Sequence, residues 1–130
     1  MVVSLPPPIV VADEDSLGRL VSALASCPVV AVDTESNSLH AYRECVCLIQ
    51  FSTPEADYIV DPIRLPDLSL LAVVFANPGQ QKVFHAAEYD LICLRRDYGF
   101  AFANIFDTMS AARTLGWTKV GLADILALHF

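Results

Sequence analysis

The sequence predicts an α/β domain: a mixed β-sheet with helices on its faces. Three observations carry that reading. First, three strand-like runs joined by short loops, Val29–Asp33, "CVCLIQFS" at 45–52 and "DYIVD" at 57–61, suggest an antiparallel meander. Second, the texture after Pro62 alternates helix and strand, the pattern of an α/β plan. Third, 55% hydrophobic content over 130 residues supports one sizeable core and is too little chain for two.

Each element follows in order. Pro6, Pro7 and Pro8 break the apolar start, and "IVVA" after them suits a short edge strand. Asp13 caps a helix whose Leu17, Leu20, Val21 and Leu24 recur at helical spacing, with Glu14 and Asp15 in the first turn where the macrodipole favours them. Pro28 ends that helix and leads into Val29–Asp33, a strand expected to be central and buried on both faces. A polar loop from Ser36 to Glu44 follows. A helix is expected from Asp67 through Ala76, closed by "NPG", and then a strand at "KVFHA", residues 82–86. "EYDLICLRRDYG" at 88–99 places Leu91, Leu94 and Tyr98 on one stripe, with Gly99 as a stop. "FANIFD" at 102–107 is a fifth strand candidate, and residues 108–116 and 121–130 read as helices. There is no internal repeat.

Composition narrows the function classes. No run of eighteen apolar residues exists, and "MVVSLPPPIV" lacks the basic start and cleavage site of a secretory signal, so a cytoplasmic protein with no membrane partner is expected. Cys27, Cys45, Cys47 and Cys93 lack zinc-ligand spacing, and Cys45 and Cys47 read as buried free thiols on one strand face. The formal charge of −7 argues against a partner held by diffuse positive charge. Cations held by clustered carboxylates change that sign locally, so an acidic domain can still bring phosphates to one pocket.

Asp33 and Glu35 are the first candidates for such a cluster. Residues i and i+2 of a strand project on the same side, roughly 6–7 Å apart. Two carboxylates so near repel unless a cation lies between them, and a two-metal hydrolytic centre, with ions about 3.5–4 Å apart, needs such a pair. The alternative is that Asp33 caps a turn and Glu35 is solvated. Asp90 lies early in the helix after "KVFHA", beside core-facing Leu91 and Leu94, where a carboxylate must be hydrogen-bonded, paired or on a metal, unless it is an ordinary exposed helix Asp.

The ordered set "VVAVDTE", then about fifty residues later "VFHAAEYDLICL" and "IFDTMSAARTLG", resembles the ribonuclease D branch of the DEDD 3′–5′ exonucleases. The resemblance covers nearly the whole chain. It implies a ribonuclease H-like fold with a mixed five-stranded sheet, and metal-dependent removal of nucleotides one at a time from the single-stranded 3′ end of RNA or DNA. It further implies that Asp33 bridges two Mg²⁺ or Mn²⁺ ions, that Glu35 binds the ion activating the attacking water, and that Asp90 serves the second ion. The family's third motif, a Tyr followed four residues later by an Asp, has no match after Asp107. Tyr98 comes too early and has Phe102 four residues on. Residues 1–130 are therefore expected to be one exonuclease domain incomplete at its C-terminal end, weak or inactive alone and inclined to self-associate.

Three further residues are substrate-binding candidates by the same resemblance: Leu39 as a wedge against the terminal base, Thr34 through its backbone, and His85 at a phosphate or a carboxylate. Each has a bland alternative in local packing or strand propensity. Asp107 reads as the cap of the helix starting at Thr108, Trp117 as packing, and Arg95 and Arg96 as a solvated helix face. The runner-up function is an exonuclease-like module that binds nucleic acid or protein without cleaving. A phosphoacceptor receiver domain fails, because the acidic run Asp13, Glu14 and Asp15 sits at a helix start.

Overall fold

The computed structural model describes residues 5–38 and 42–130. Its elements in chain order are β1 (Ile9–Val11), α1 (Glu14–Ala25), β2 (Val29–Ser36), β3 (Val46–Ser52), β4 (Asp57–Val60), a 3₁₀ turn (Ser69–Leu71) running into α2 (Ala72–Phe75), β5 (Gln81–Phe84), α3 (Glu88–Tyr98), β6 (Ile105–Asp107), α4 (Thr108–Thr114) and α5 (Leu122–His129). The strands form one mixed sheet in the order β1-β4-β3-β2-β5-β6. The meander β2-β3-β4 is antiparallel, as expected, and β5, β6 and β1 join it in parallel pairs.

Among the described residues the sheet thus has six strands where five were counted. The addition is β1, whose Ile9, Val10 and Val11 align with Tyr58, Ile59 and Val60 of β4. This is the short edge strand read at "IVVA" but left out of the five counted, and it takes the outer edge where a strand of three residues behind prolines is tolerated.

Local chemistry fixes the helices. Asp13 accepts the Ser16 N–H at 2.7 Å while the Asp13 N–H donates to Ser16 Oγ at 3.2 Å, a capping box that starts α1. Gly99, at φ 68°, closes α3 in the left-handed region where a Cβ would be strained. The helix expected over 67–76 is shorter, a single 3₁₀ turn and four α-helical residues. Leu17, Leu20 and Leu24 of α1, Phe75 of α2, and Cys93 and Leu94 of α3 bury against Val30 and Val32 of β2, Ile49 and Phe51 of β3 and Phe84 of β5.

This one-sided core corrects two expectations. β2 is not buried on both faces: Val30 and Val32 are buried while Val29, Ala31, Asp33 and Glu35 are exposed. A strand flanked on one side by an antiparallel neighbour alternates in this way. Cys45 and Cys47 are not buried thiols either. Cys45 is exposed and Cys47 half-buried, because Cys45 precedes β3 and Cys47 is turned from the core that Val46 enters. All four cysteines are free. Among the described residues no helix is long and apolar enough to cross a membrane.

Candidate active site

The site is built around the second half of β2. This strand runs on to Ser36, so Asp33 and Glu35 are held by sheet pairing, opposite Gln50 and Leu48 of β3, and neither is a turn or loop residue. Period-two alternation sends both carboxylates to the exposed face and Thr34, between them, to the opposite one.

On its other edge β2 pairs with β5 only as far as Ala31 with Val83. Beyond that point the partner is a side chain. Asp90, in the first turn of α3 and only 7% exposed, accepts the Thr34 N–H at 3.1 Å and the Thr34 hydroxyl at 2.5 Å, both on Oδ1. Asp90 is therefore not an ordinary exposed helix residue. Burial pushes its carboxyl above the usual range, the Thr34 hydroxyl opposes this, and the nearby Asp33 charge adds to it. The Asp33 charge is thus near enough to act on the Asp90 carboxyl.

Their chemistry fits a hard divalent cation, since all three offer carboxylate oxygens and no sulfur or imidazole competes among them. The fit is in donor type, with Asp33 and Glu35 on one face of β2 and Asp90 of α3 bonded to Thr34 between them. Among the described residues no group of three or more His, Cys, Asp or Glu side chains is gathered closely enough to hold a metal ion.

The exposed face of the sheet forms the floor of an open cavity of about 420 Å³, lined by Asp33, Gln50, Ser52, His85, Thr108 and Leu122 among others. The orientation of His85 is fixed from behind. The Thr108 hydroxyl donates to Phe84 O at 3.1 Å, so at 2.8 Å from His85 Nδ1 it accepts that N–H. Nε2 is left as a buried acceptor with no partner among the described residues. Leu39 lies outside the described residues.

Several polar contacts have no signature in the local sequence. Ser36 donates to Glu44 Oε1 at 2.9 Å and lies 3.2 Å from the Tyr89 hydroxyl, and Arg96 pairs with Glu44 at 3.0 Å and with Asp97 at 2.6 Å. Arg96 is thus not a free solvated cation, whereas Arg95 stands over the Phe102 ring at 5.9 Å. Asp107 is the expected cap of α4, accepting from Met109 and Ser110, and it also accepts the N–H groups of Ala86 and Ala87 across the sheet. Tyr98 stacks on Phe100 at 5.4 Å, and burial pushes its hydroxyl up to about 12, which suits packing. Trp117 stacks on His129 at 4.0 Å, also packing.

Known proteins are similar to this chain in sequence and in fold. A family described as 3′–5′ exonuclease matches residues 8–129. Protein RRP6-like 3 of Arabidopsis thaliana is 43% identical over 114 residues, covering 87% of this chain and 13% of that protein. The exosome complex exonuclease RRP6 of Saccharomyces cerevisiae is 39% identical over 120 residues, covering 92% of this chain and 16% of that protein. The chain therefore spans less than a fifth of either relative's length, a share of 13% and 16%. In structure, the catalytic core of RRP6 from Trypanosoma brucei superposes with a TM-score of 0.92 at 32% identity, covering 99% of this chain and 36% of that one. RNase D of Escherichia coli, an exoribonuclease involved in structured RNA processing, does so with a TM-score of 0.76 at 27% identity, covering 82% of this chain and 28% of that one. With the fold, the order of the elements and the matched span in agreement, the chain belongs to the 3′–5′ exonuclease family, as a domain of the RRP6 and ribonuclease D type.

Proposed function

We propose that this domain shortens single-stranded RNA from its 3′ end, with Asp33, Glu35 and Asp90 as the carboxylates that hold two divalent ions, Mg²⁺ or Mn²⁺. One observation carries the reading: Asp33 and Glu35 project from one face of β2 while Asp90 is tied to Thr34 between them. When bound, the ions supply hydroxide near neutral pH and stabilise the attacking and leaving oxygens of an in-line displacement. The protein's own part is to hold the carboxylates against their mutual repulsion. The β2 ladder does so for Asp33 and Glu35, and the two Thr34 hydrogen bonds do so for Asp90.

His85 serves the substrate in this reading. His85 lines the cavity that Asp33 also lines, and its buried Nε2, without a partner among the described residues, is the acceptor we assign to a hydroxyl of the terminal ribose once the substrate is seated. Thr34 contributes through its neighbours, since its N–H is already given to Asp90. The yeast relative is named as an exosome exonuclease, and an RNA 3′ end is the substrate we carry over to this chain. The four free thiols support a reducing compartment, the cytoplasm in our reading.

The test is a 5′-labelled single-stranded RNA, with a DNA of the same sequence, incubated with Mn²⁺ and a version of the chain extended to carry a Tyr-x-x-x-Asp motif. Stepwise shortening of the RNA, lost in Asp33→Asn, is expected. Full activity in a folded Asp33→Asn variant overturns the assignment. A second reading, binding without cleavage, draws on the lack of a gathered carboxylate cluster among the described residues. RNA retention by the extended version with no shortening at any Mn²⁺ concentration would favour it.

A further inference from the structure

The turn between β5 and α3 is held in an unfavourable backbone conformation by one side chain from another strand. Ala86 has φ 59°, in the left-handed region where a Cβ is strained, and no glycine is there to relieve it. The helix that follows begins at Ala87 with no capping side chain of its own. Both needs are met by Asp107. In the parallel pairing of β5 with β6, Phe84 stands beside Asp107, so the Asp107 carboxylate reaches past the end of β5. There Oδ1 accepts the Ala86 N–H at 3.0 Å and Oδ2 the Ala87 N–H at 2.9 Å. The same carboxylate caps α4 through Met109 and Ser110, at 2.9 and 3.3 Å. Thr108 adds a grip on the preceding two residues through Phe84 O and His85 Nδ1. Two consecutive residues thus hold four consecutive ones, 84–87.

We propose that Asp107 is a positioning residue for the active site: by fixing Ala86 and Ala87 it sets where α3 begins, and so where Asp90 meets Thr34. Helix capping alone does not require this. A serine or asparagine would cap α4 as well, while only a carboxylate presents two acceptor oxygens to N–H groups on both sides. Asp90 lies within the first turn of α3, and its bonds to Thr34 tolerate little displacement. The inference rests on the reading of Asp90 as a functional carboxylate.

Amide hydrogen exchange of residues 1–130, resolved by residue and without nucleic acid, tests it. In Asp107→Ser the Met109 and Ser110 amides should keep their protection, because serine caps α4. The Ala86 and Ala87 amides should lose protection at least about tenfold, the change that about 1.4 kcal/mol of opening free energy produces. The Thr34 amide, distant in sequence and donated to Asp90, should follow them. Adding Ala86→Gly, which removes the strain, should restore part of the Thr34 protection. Should Asp107→Ser fold poorly, Asp107→Asn with Ala86→Gly keeps one capping oxygen, and the Ala87 amide then reports the lost grip. Unchanged Ala87 and Thr34 protection in either folded variant overturns the proposal. Failure of the catalytic reading would appear elsewhere, as undiminished cleavage by Asp90→Asn with these amides fully protected.

Discussion

Asp90 takes both polar hydrogens of Thr34 on a single oxygen, the backbone N–H at 3.1 Å and the hydroxyl at 2.5 Å. This joins α3 to the middle of the Asp-x-Glu segment at the point where β5 no longer pairs with β2. Thr34→Val keeps the β-branched shape and removes the hydroxyl. Loss of a bond to a charged group costs about 1.5–3 kcal/mol. We expect urea unfolding at pH 7 to report a loss in that range for Val and a much smaller one for Thr34→Ser.

Asp33→Asn should separate stability from function. Asp33 is exposed, has no side-chain hydrogen-bond partner among the described residues, and its charge disfavours ionisation of Asp90. Neutralising it leaves the fold as stable or slightly more so, while cleavage by the extended version falls by at least about a hundredfold, the scale of a lost group in metal-assisted catalysis. Equal rates in the two proteins, with unfolding curves superposed, would remove Asp33 from the site.

Residues 1–130 by themselves should bind Mn²⁺ weakly. Among the described residues no three carboxylates are gathered closely enough to hold an ion, and Asp90 has one oxygen committed to Thr34. A calorimetric titration is expected to give a single weak site that vanishes in Asp33→Asn, and RNA shortening should be slight. A tight two-ion isotherm for the unmodified chain would contradict this.

The placement of the candidate site residues was largely legible in the sequence because it is set by local periods. The spacing of Asp33 and Glu35 gives a shared strand face at once, and Asp90 is marked by its apolar neighbours on α3. The length of β2 was not legible, since Thr34, Glu35 and Ser36 are polar and look like the start of a loop. Only the register against Ile49, Leu48 and Val46 keeps them in the strand.

The reach of Asp107 was hidden for a related reason. Its cap of α4 is a local pattern, but its hold on Ala86 and Ala87 depends on Phe84 and Asp107 being neighbours in a parallel pair, and parallel registers leave no trace in either strand alone. The pairing of Arg96 with Glu44 is likewise a product of how α3 lies near the start of β3, where Asp97 accepts the Val46 N–H at 2.8 Å. The six-stranded count turned on three residues at an edge.

The last expectation concerns pH, and it sets Asp107 against Asp90. Burial pushes the Asp107 carboxyl up, but the N–H groups of Ala87, Ala86, Ser110 and Met109 outweigh it and leave the group below the usual 3.8. A carboxylate depressed in the fold contributes stability above its unfolded value, lost as pH falls through the folded one. Asp90 is shifted the other way, by burial first, so its contribution is present below 3.8 and is lost as pH rises through its folded value. Two variants should therefore diverge in urea unfolding followed from pH 7 down to pH 3. Asp107→Asn should be less stable than the unmodified chain at pH 7, with the gap closing below 3.8 as the native carboxyl protonates. Asp90→Asn should match or exceed the unmodified chain at pH 7, because its amide keeps an acceptor for Thr34 without the buried charge, and that advantage should shrink as the pH falls towards 3.8. Parallel curves for both variants across the whole range would mean that neither carboxyl is held away from its ordinary value by the contacts described.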